Sequence, residues 1–240
     1  MKTDQRIITW IRKQIKAAKA KGIVMGLSGG VDSAVVAALS RKAVGKNRLL
    51  CLLLPCDSSK TDCNDSMLMV KKFNLRYKAV DVKPVFNCLC KILPTANRKA
   101  AGNLKSRLRM LTLYYFANKL NYLVAGTGNK SELLMGYFTK HGDGGVDILP
   151  IAGLLKKEVR SLAEELGIPQ RIINKPPTAG LWAGQTDEAE MGITYNQLDD
   201  ILYRLGNNRK QQESASVVCK VKKMIRSSEH KRRLAVICRP

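Results

Sequence analysis

The residues best suited to chemistry lie between positions 27 and 34, where the sequence reads LSGGVDSA. Ser28, Gly29, Gly30, Val31, Asp32 and Ser33 follow a short apolar run, GIVMGL (22–27), and precede a segment rich in Ala, Val and Leu (33–44). That order is buried strand, tight turn, helix, and a helix N-terminus offers an anion free backbone N–H groups and the positive end of its dipole. Two adjacent glycines let phosphate oxygens approach the backbone, while the Ser28 and Ser33 hydroxyls add donors. No Lys-Ser or Lys-Thr follows the glycines, which excludes a Walker A loop, and their adjacency excludes a GxGxxG fingerprint. Asp32 stands in the lysine's place. A carboxylate beside a phosphate nest repels its ligand unless a divalent cation comes between them, so Asp32 is a magnesium-ligand candidate. Asp32 and Ser33 also suit a helix start as simple caps, and the two roles are compatible.

The elements that must position this loop show in the hydrophobic pattern. Ile7, Ile8, Ile11, Ile15 and Ala18 fall at helical spacing among Lys and Arg, which predicts an amphipathic helix over 5–20. Apolar runs at 22–27, 49–54, 76–82 and 122–125 predict four strands, with helices over 33–44, 62–73 and 104–120 between them. Strands that are apolar throughout and alternate with helices predict a parallel sheet covered on both faces. Beyond residue 126 the alternation gives way to a glycine-rich stretch, GTGNKSELLMGYFTKHGDGG. A helix near 155–166, a Pro- and Gly-bearing loop over 175–187 and helices over 195–205 and 213–226 follow. Loops of that length inside a compact domain are functional more often than idle, so substrate contacts are expected in the second half.

Composition bounds the rest. The chain has 240 residues, 45% hydrophobic and 25% charged, which suits an ordinary globular domain and excludes a disulfide-stapled miniprotein. Forty-two Lys and Arg face nineteen Asp and Glu, a net charge of +23, and about two thirds of the excess lies in residues 1–21 and 204–240. Such a balance points to polyanionic company, although solvated basic faces on terminal helices account for it more simply. Seven cysteines without a CxxC pair give neither a zinc site nor a redox pair, and they are expected to be buried thiols. With no apolar signal core and no run of membrane-spanning length, a cytoplasmic location is expected.

SGGVDSA resembles the pyrophosphate loop of the ATP pyrophosphatases, which transfer AMP from ATP to a substrate oxygen and release pyrophosphate. Further stretches narrow the resemblance to the NAD synthetases within that group: NLKSRLRM (103–110), GTGNKSE (126–132), GYFTKHGDGG (136–145), KPPTA (175–179), Asp187-Glu188 and EHKRR (229–233). The likeness runs in order from about residue 5 to residue 233. It implies a doubly wound parallel α/β sheet, Rossmann-like and of the adenine-nucleotide alpha-hydrolase type, with C-terminal helices, as a single domain over 1–240 without a glutaminase domain. It also implies that residues 28–33, Thr127, Lys156 and Thr178 contact ATP, that Asp32 and Glu132 hold Mg2+, and that Arg107, Lys140, Asp147, His230 and Lys231 contact deamido-NAD. Asp32 and Lys156, and Asp143 as a helper in deprotonating ammonium, would carry the catalysis. The implied reaction amidates deamido-NAD with ammonia through an adenylated carboxylate, and relatives of this kind are homodimers.

Each assignment has a plainer rival. Arg107 and Arg109 lie in an acid-free basic run, Glu132 follows Ser131 at a helix start and could be a cap, and His230 sits in a basic tail. Two other functions compete, a tRNA-modifying ATP pyrophosphatase and a basic nucleic-acid-binding protein with a nucleotide fold. The missing CxxC counts against the first, and the intact Asp32 and Glu132 against the second. A gel-shift titration with tRNA separates them: on the NAD synthetase reading, any binding is electrostatic and collapses between about 50 and 200 mM salt, whereas tight binding that survives physiological salt would favour a nucleic-acid substrate.

Overall fold

The computed structural model describes residues 2–238. In chain order the elements are α1 (Thr3–Ala17), β1 (Gly22–Gly26), α2 (Val31–Val44), β2 (Leu49–Leu53), α3 (Lys60–Lys72), β3 (Tyr77–Ala79), α4 (Lys83–Ile92), α5 (Arg98–Leu120), β4 (Tyr122–Val124), α6 (Lys130–Met135), α7 (Lys156–Glu165), α8 (Gln170–Ile173), α9 (Asp187–Met191), α10 (Tyr195–Gly206), α11 (Ala215–Ser227) and α12 (Glu229–Arg232). The four strands form one parallel sheet in the order β3-β2-β1-β4. Alternate residues of the apolar strands enter opposite cores, as a sheet buried on both faces requires. Ile23, Met25, Leu49 and Cys51 pack with α1, α2, α3, α7 and α8, while Val24, Leu50, Leu52 and Val124 pack with α5 and the Phe86 of α4. The doubly wound α/β arrangement is thus present, and a third apolar cluster joins α6, α9, α10 and α11.

Several expectations need correction. The third strand spans three exposed residues rather than 76–82, because it lies at the sheet's edge with a partner on one side only, and Val82 turns away to donate its N–H to the carbonyl of Pro55. Ala18 is exposed beyond the end of α1, although Ile8, Ile11 and Ile15 are buried as the periodicity requires. Helix α4, with no buried residue, is missed although Val85, Phe86, Leu89 and Ile92 recur at helical spacing, and the short helices α6, α8, α9 and α12 carry too little periodic signal to stand out from the loops around them. All seven cysteines are free, but only Cys51 and Cys56 are buried. Among the described residues no helix is long and apolar enough to cross a membrane.

The strand order places the switch point between β1 and β4, the two strands from which the chain leaves in different directions, and open α/β sheets bind ligands in the crevice at the carboxyl ends there. The phosphate-type loop follows β1 and Thr127 follows β4, so both open on that crevice. The C-terminal helices reach it through Gly136, which ends α6 at φ +66; a Cβ there would meet the Cβ of Ser228 at 2.1 Å. Gly136→Ala is therefore expected to lose about 1–3 kcal/mol from left-handed strain and overpacking, read as a lower urea midpoint; an unchanged midpoint would show that the α6–α12 contact is not tight.

Candidate active site

The loop after β1 is rigid before any ligand arrives. The Ser33 Oγ donates to the carbonyl of Gly30 at 2.9 Å and accepts the Ser28 N–H at 3.2 Å, while the Ser28 and Ser33 hydroxyls lie 3.1 Å apart. Gly30 is the N-cap of α2 and no side chain caps that helix, which leaves its first-turn amides open toward the crevice. Gly29 has φ +82, and a Cβ there would come within 2.4 Å of the Asp62 carbonyl on α3, so conformation and contact both demand glycine. Lys175, from the loop after α8, donates to Asp62 at 2.5 Å and Asp65 at 2.8 Å and reaches the Gly29 carbonyl at 3.4 Å, tying the 175–186 loop to the base of the phosphate loop.

Asp32 does not cap α2. Its Oδ1 accepts from the Asn129 side chain at 2.9 Å and its Oδ2 from the Lys156 ammonium at 2.5 Å; the same Nζ lies 3.1 Å from Glu132 Oε1. Glu132 meanwhile closes a capping box with Asn129, so the plain and the functional readings of that residue hold together. Lys156 opens α7. Its backbone N–H donates to Ser131 Oγ at 3.1 Å and the next amide to Asp199 Oδ2 at 2.8 Å, while Ser131 donates to Asp199 Oδ1, so buried groups of α6 and α10 fix where the lysine emerges. Tyr195 donates to Asp187 Oδ2 at 3.0 Å and lies 3.3 Å from Glu132, leaving the buried Asp187 Oδ1 without a partner.

Asp32 and Glu132 thus share one ammonium, with Asp187 behind them on the Tyr195 hydroxyl. Burial, reinforced by the charges of Asp32 and Asp187, outweighs the pull of Lys156 and pushes the Glu132 carboxyl up to about 7. Burial likewise raises Asp187, whereas Lys156, desolvated itself, holds its proton above the ordinary lysine range through Asp32 and Glu132. Asp32 and Glu132 present carboxylate oxygens of the kind a hard divalent ion takes, although among the described residues no three acidic, His or Cys side chains gather as a metal site.

These groups line one cavity of about 940 Å3, near the upper end of the roughly 300–1,000 Å3 of small-molecule sites. Ser28, Gly30, Val31, Asp32, Ser33, Thr127, Glu132, Lys156 and Thr178 border it, and so do Arg107, Lys140, Asp143, His230 and Lys231. Asp143 anchors the 139–145 turn, its Oδ1 accepting from Ser106 at 2.8 Å and from the Thr139 amide at 2.9 Å. Lys140 donates to the His230 carbonyl at 2.7 Å, and Lys231 to the carbonyls of Gly136 and Phe138 at 2.6 and 2.9 Å, so the two lysines latch α12 to that turn. Asp147 stands apart from the lining. Its oxygens accept from Tyr114 and the Val124 amide, bracing β4. Lys175 and Asp187 were legible only as parts of matched stretches, since a charge in a loop gives no sign of its partner.

The whole chain bears on the comparison with known proteins. The family model for NAD synthase matches residues 4–235. The chain belongs to the NAD synthase family. It is 47% identical over 235 residues to the NH3-dependent NAD+ synthetase of Syntrophomonas wolfei subsp. wolfei, covering 95% of this chain and 92% of that protein. The corresponding enzyme of Carboxydothermus hydrogenoformans is also 47% identical, covering 96% of this chain and 94% of its own length. Among solved structures, the NMN synthetase of Francisella tularensis superposes with a TM-score of 0.91 at 37% identity, covering 98% of this chain and 97% of that one. The NH3-dependent NAD synthetase of Campylobacter jejuni superposes with 0.86 at 29% identity, covering 99% and 97%.

The raised Glu132 carboxyl has a measurable consequence without metal. A carboxyl that titrates at 4.5 when unfolded and near 7 when folded adds stability that is complete below pH 4.5 and lost as pH rises through 7. In EDTA, wild-type urea midpoints should therefore fall between pH 5 and pH 8, and Glu132→Gln should flatten that fall; an equally steep fall in the variant would show that Glu132 is not the group that titrates.

Proposed function

We propose that this chain amidates deamido-NAD with ammonia at the expense of ATP, through an adenylated carboxylate, giving NAD, AMP and pyrophosphate. One observation carries the reading: the hydroxyl-bearing, uncapped start of α2 and the 138–143 turn, with Lys140 on it and His230 and Lys231 beside it, open on the same cavity. Two anionic substrates held on those walls would face each other, and positioning of that kind supplies a large share of such a reaction's rate.

The amides of residues 29–33 and the Ser28 and Ser33 hydroxyls cradle the ATP phosphates, with Thr127 and Thr178 bordering the nucleotide. Asp32 and Glu132 would hold Mg2+, which when bound offsets charge on the triphosphate and on departing pyrophosphate. The Lys156 ammonium, locked on α7, stands over the same charge. Arg107, Lys140, His230 and Lys231 orient the dinucleotide, and Asp147 acts behind them by bracing β4. A nicotinate carboxylate oxygen bonds to the α-phosphorus as the bond to the β-phosphate oxygen breaks. Ammonia then bonds to the activated carbonyl carbon, AMP leaves, and the proton shed by nitrogen passes to a carboxylate, for which Asp143 on the turn is our candidate. The substrate supplies the nucleophile, so no protein nucleophile is required.

Residues 1–240 would act as one catalytic domain, in a cytoplasmic homodimer with no nucleic-acid partner. Leu111 and Tyr115 on α5, 63% and 61% exposed, and Trp10 on α1 offer the apolar surface for such a contact. The Francisella tularensis neighbour is by name an NMN synthetase, which makes nicotinate mononucleotide the rival substrate to test. Turnover with ATP, magnesium and ammonium should yield NAD from deamido-NAD far faster than NMN from nicotinate mononucleotide, with no gain when glutamine replaces ammonium; the reverse preference would reassign the substrate. Asp32→Asn should abolish pyrophosphate release while near-UV circular dichroism is retained, and near-normal turnover by that variant would remove Asp32 from the metal site.

A further inference from the structure

Most of the cations around the cavity have their charged end paired within the protein. Lys105 reaches Asp57 at 2.8 Å, Lys156 lies between Asp32 and Glu132, Lys175 between Asp62 and Asp65, and Lys231 on two carbonyls. Arg109 on α5 does not. Its Nε donates to the Leu54 carbonyl at 3.1 Å, but among the described residues neither Nη atom has a hydrogen-bond partner and no carboxylate lies within salt-bridge distance. The guanidinium nonetheless borders the cavity and is desolvated enough that burial disfavours its charge. Half-buried and held by Nε, the side chain keeps both Nη atoms open to the cavity, where they can take a ligand.

Its position says what that is. Leu54 follows β2 at the carboxyl end of the sheet, beside the phosphate loop. Ser106, three residues earlier on the same face of α5, holds Asp143 of the substrate turn. Arg109 therefore projects between the wall proposed for ATP and the wall proposed for deamido-NAD. A planar fork with free Nη donors matches the paired oxygens of a phosphate or a carboxylate.

We infer that Arg109 binds an oxyanion of the reacting pair, the α-phosphate of ATP or the nicotinate carboxylate that attacks it. The two become one acyl phosphate during the reaction, so one fork serves either. The inference rests on the function proposed above and assigns a residue that neither the phosphate loop nor the 138–145 turn contains.

Arg109→Met and Arg109→Lys in the full chain test it. Without ligands the Met variant should melt within about 4 °C of wild type, because it gives up only the hydrogen bond to the Leu54 carbonyl. Its turnover should fall about 100-fold, with Lys recovering only part of the loss because a point charge lacks the fork. Calorimetric titrations with α,β-methylene-ATP, deamido-NAD and NAD then locate the oxyanion. Loss of the preference for deamido-NAD over NAD marks the carboxylate; ATP-analogue binding weakened about tenfold with dinucleotide binding unchanged marks the phosphate. Met turnover within about threefold of wild type, or a melting loss large enough to account for the lost activity, overturns the inference. Should wild type make no NAD, the proposed function fails, and Arg109 is then judged by analogue binding alone: equal affinity in wild type and the Met variant refutes its role.

Discussion

The site depends on one desolvated ammonium. Lys156 draws together Asp32 from α2 and Glu132 from α6 while itself opening α7, so a single cation joins the phosphate loop, the segment after β4 and the first helix beyond the glycine-rich stretch. Coulomb attraction alone does not make such a contact favourable, since removing three charged groups from water costs several kcal/mol each. The geometry persists because the lysine's backbone is fixed independently. Ser131 and Asp199 take the amides of Lys156 and Lys157, and the helix behind them is anchored in the main core by Val159, Leu162 and Ala163.

Around this centre the site is electrostatically incomplete in two opposite senses. Asp32 and Glu132 bring two carboxylates to one ammonium, while the Arg109 guanidinium has no carboxylate within salt-bridge distance among the described residues. On the function proposed above, in which AMP passes from ATP to a carboxylate, a cation would be held at the first place and an oxyanion at the second.

How far this arrangement is legible in the sequence depends on the range of the interaction. Strands β1 and β2 follow from unbroken apolar runs, α2 from its Ala, Val and Leu content, and α7 and α10 from an apolar stripe at helical spacing, because burial is largely a local property of the chain. The phosphate loop is legible for the same reason: strand, Gly-Gly turn and helix start are contiguous. Asp32 and Glu132 stand out as acids in suggestive places, but the cation between them is 124 residues from one and 24 from the other, and nothing local says that Lys156 bridges both. Asp147 shows the opposite difficulty. Beside GDGG it resembles a ligand to the substrate, yet its two oxygens are spent on Tyr114 and the Val124 amide, partners that only the fold brings close.

The remaining charge fits the same account. Terminal helices α1 and α11 turn their apolar residues inward and leave Lys and Arg in water, so most of the net positive charge surrounds the cavity instead of lining it. Charge at that distance acts on ligands through the field of the whole molecule, raising the local concentration of polyanions and their rate of arrival, and it is screened within about 8 Å at physiological salt. Discrimination between anions has to come from fixed groups inside the cavity, where water is scarce and geometry counts. There the chain offers the uncapped start of α2, lysines whose positions are set by backbone carbonyls and one arginine fork, and on the function proposed above these would select among nucleotide oxygens.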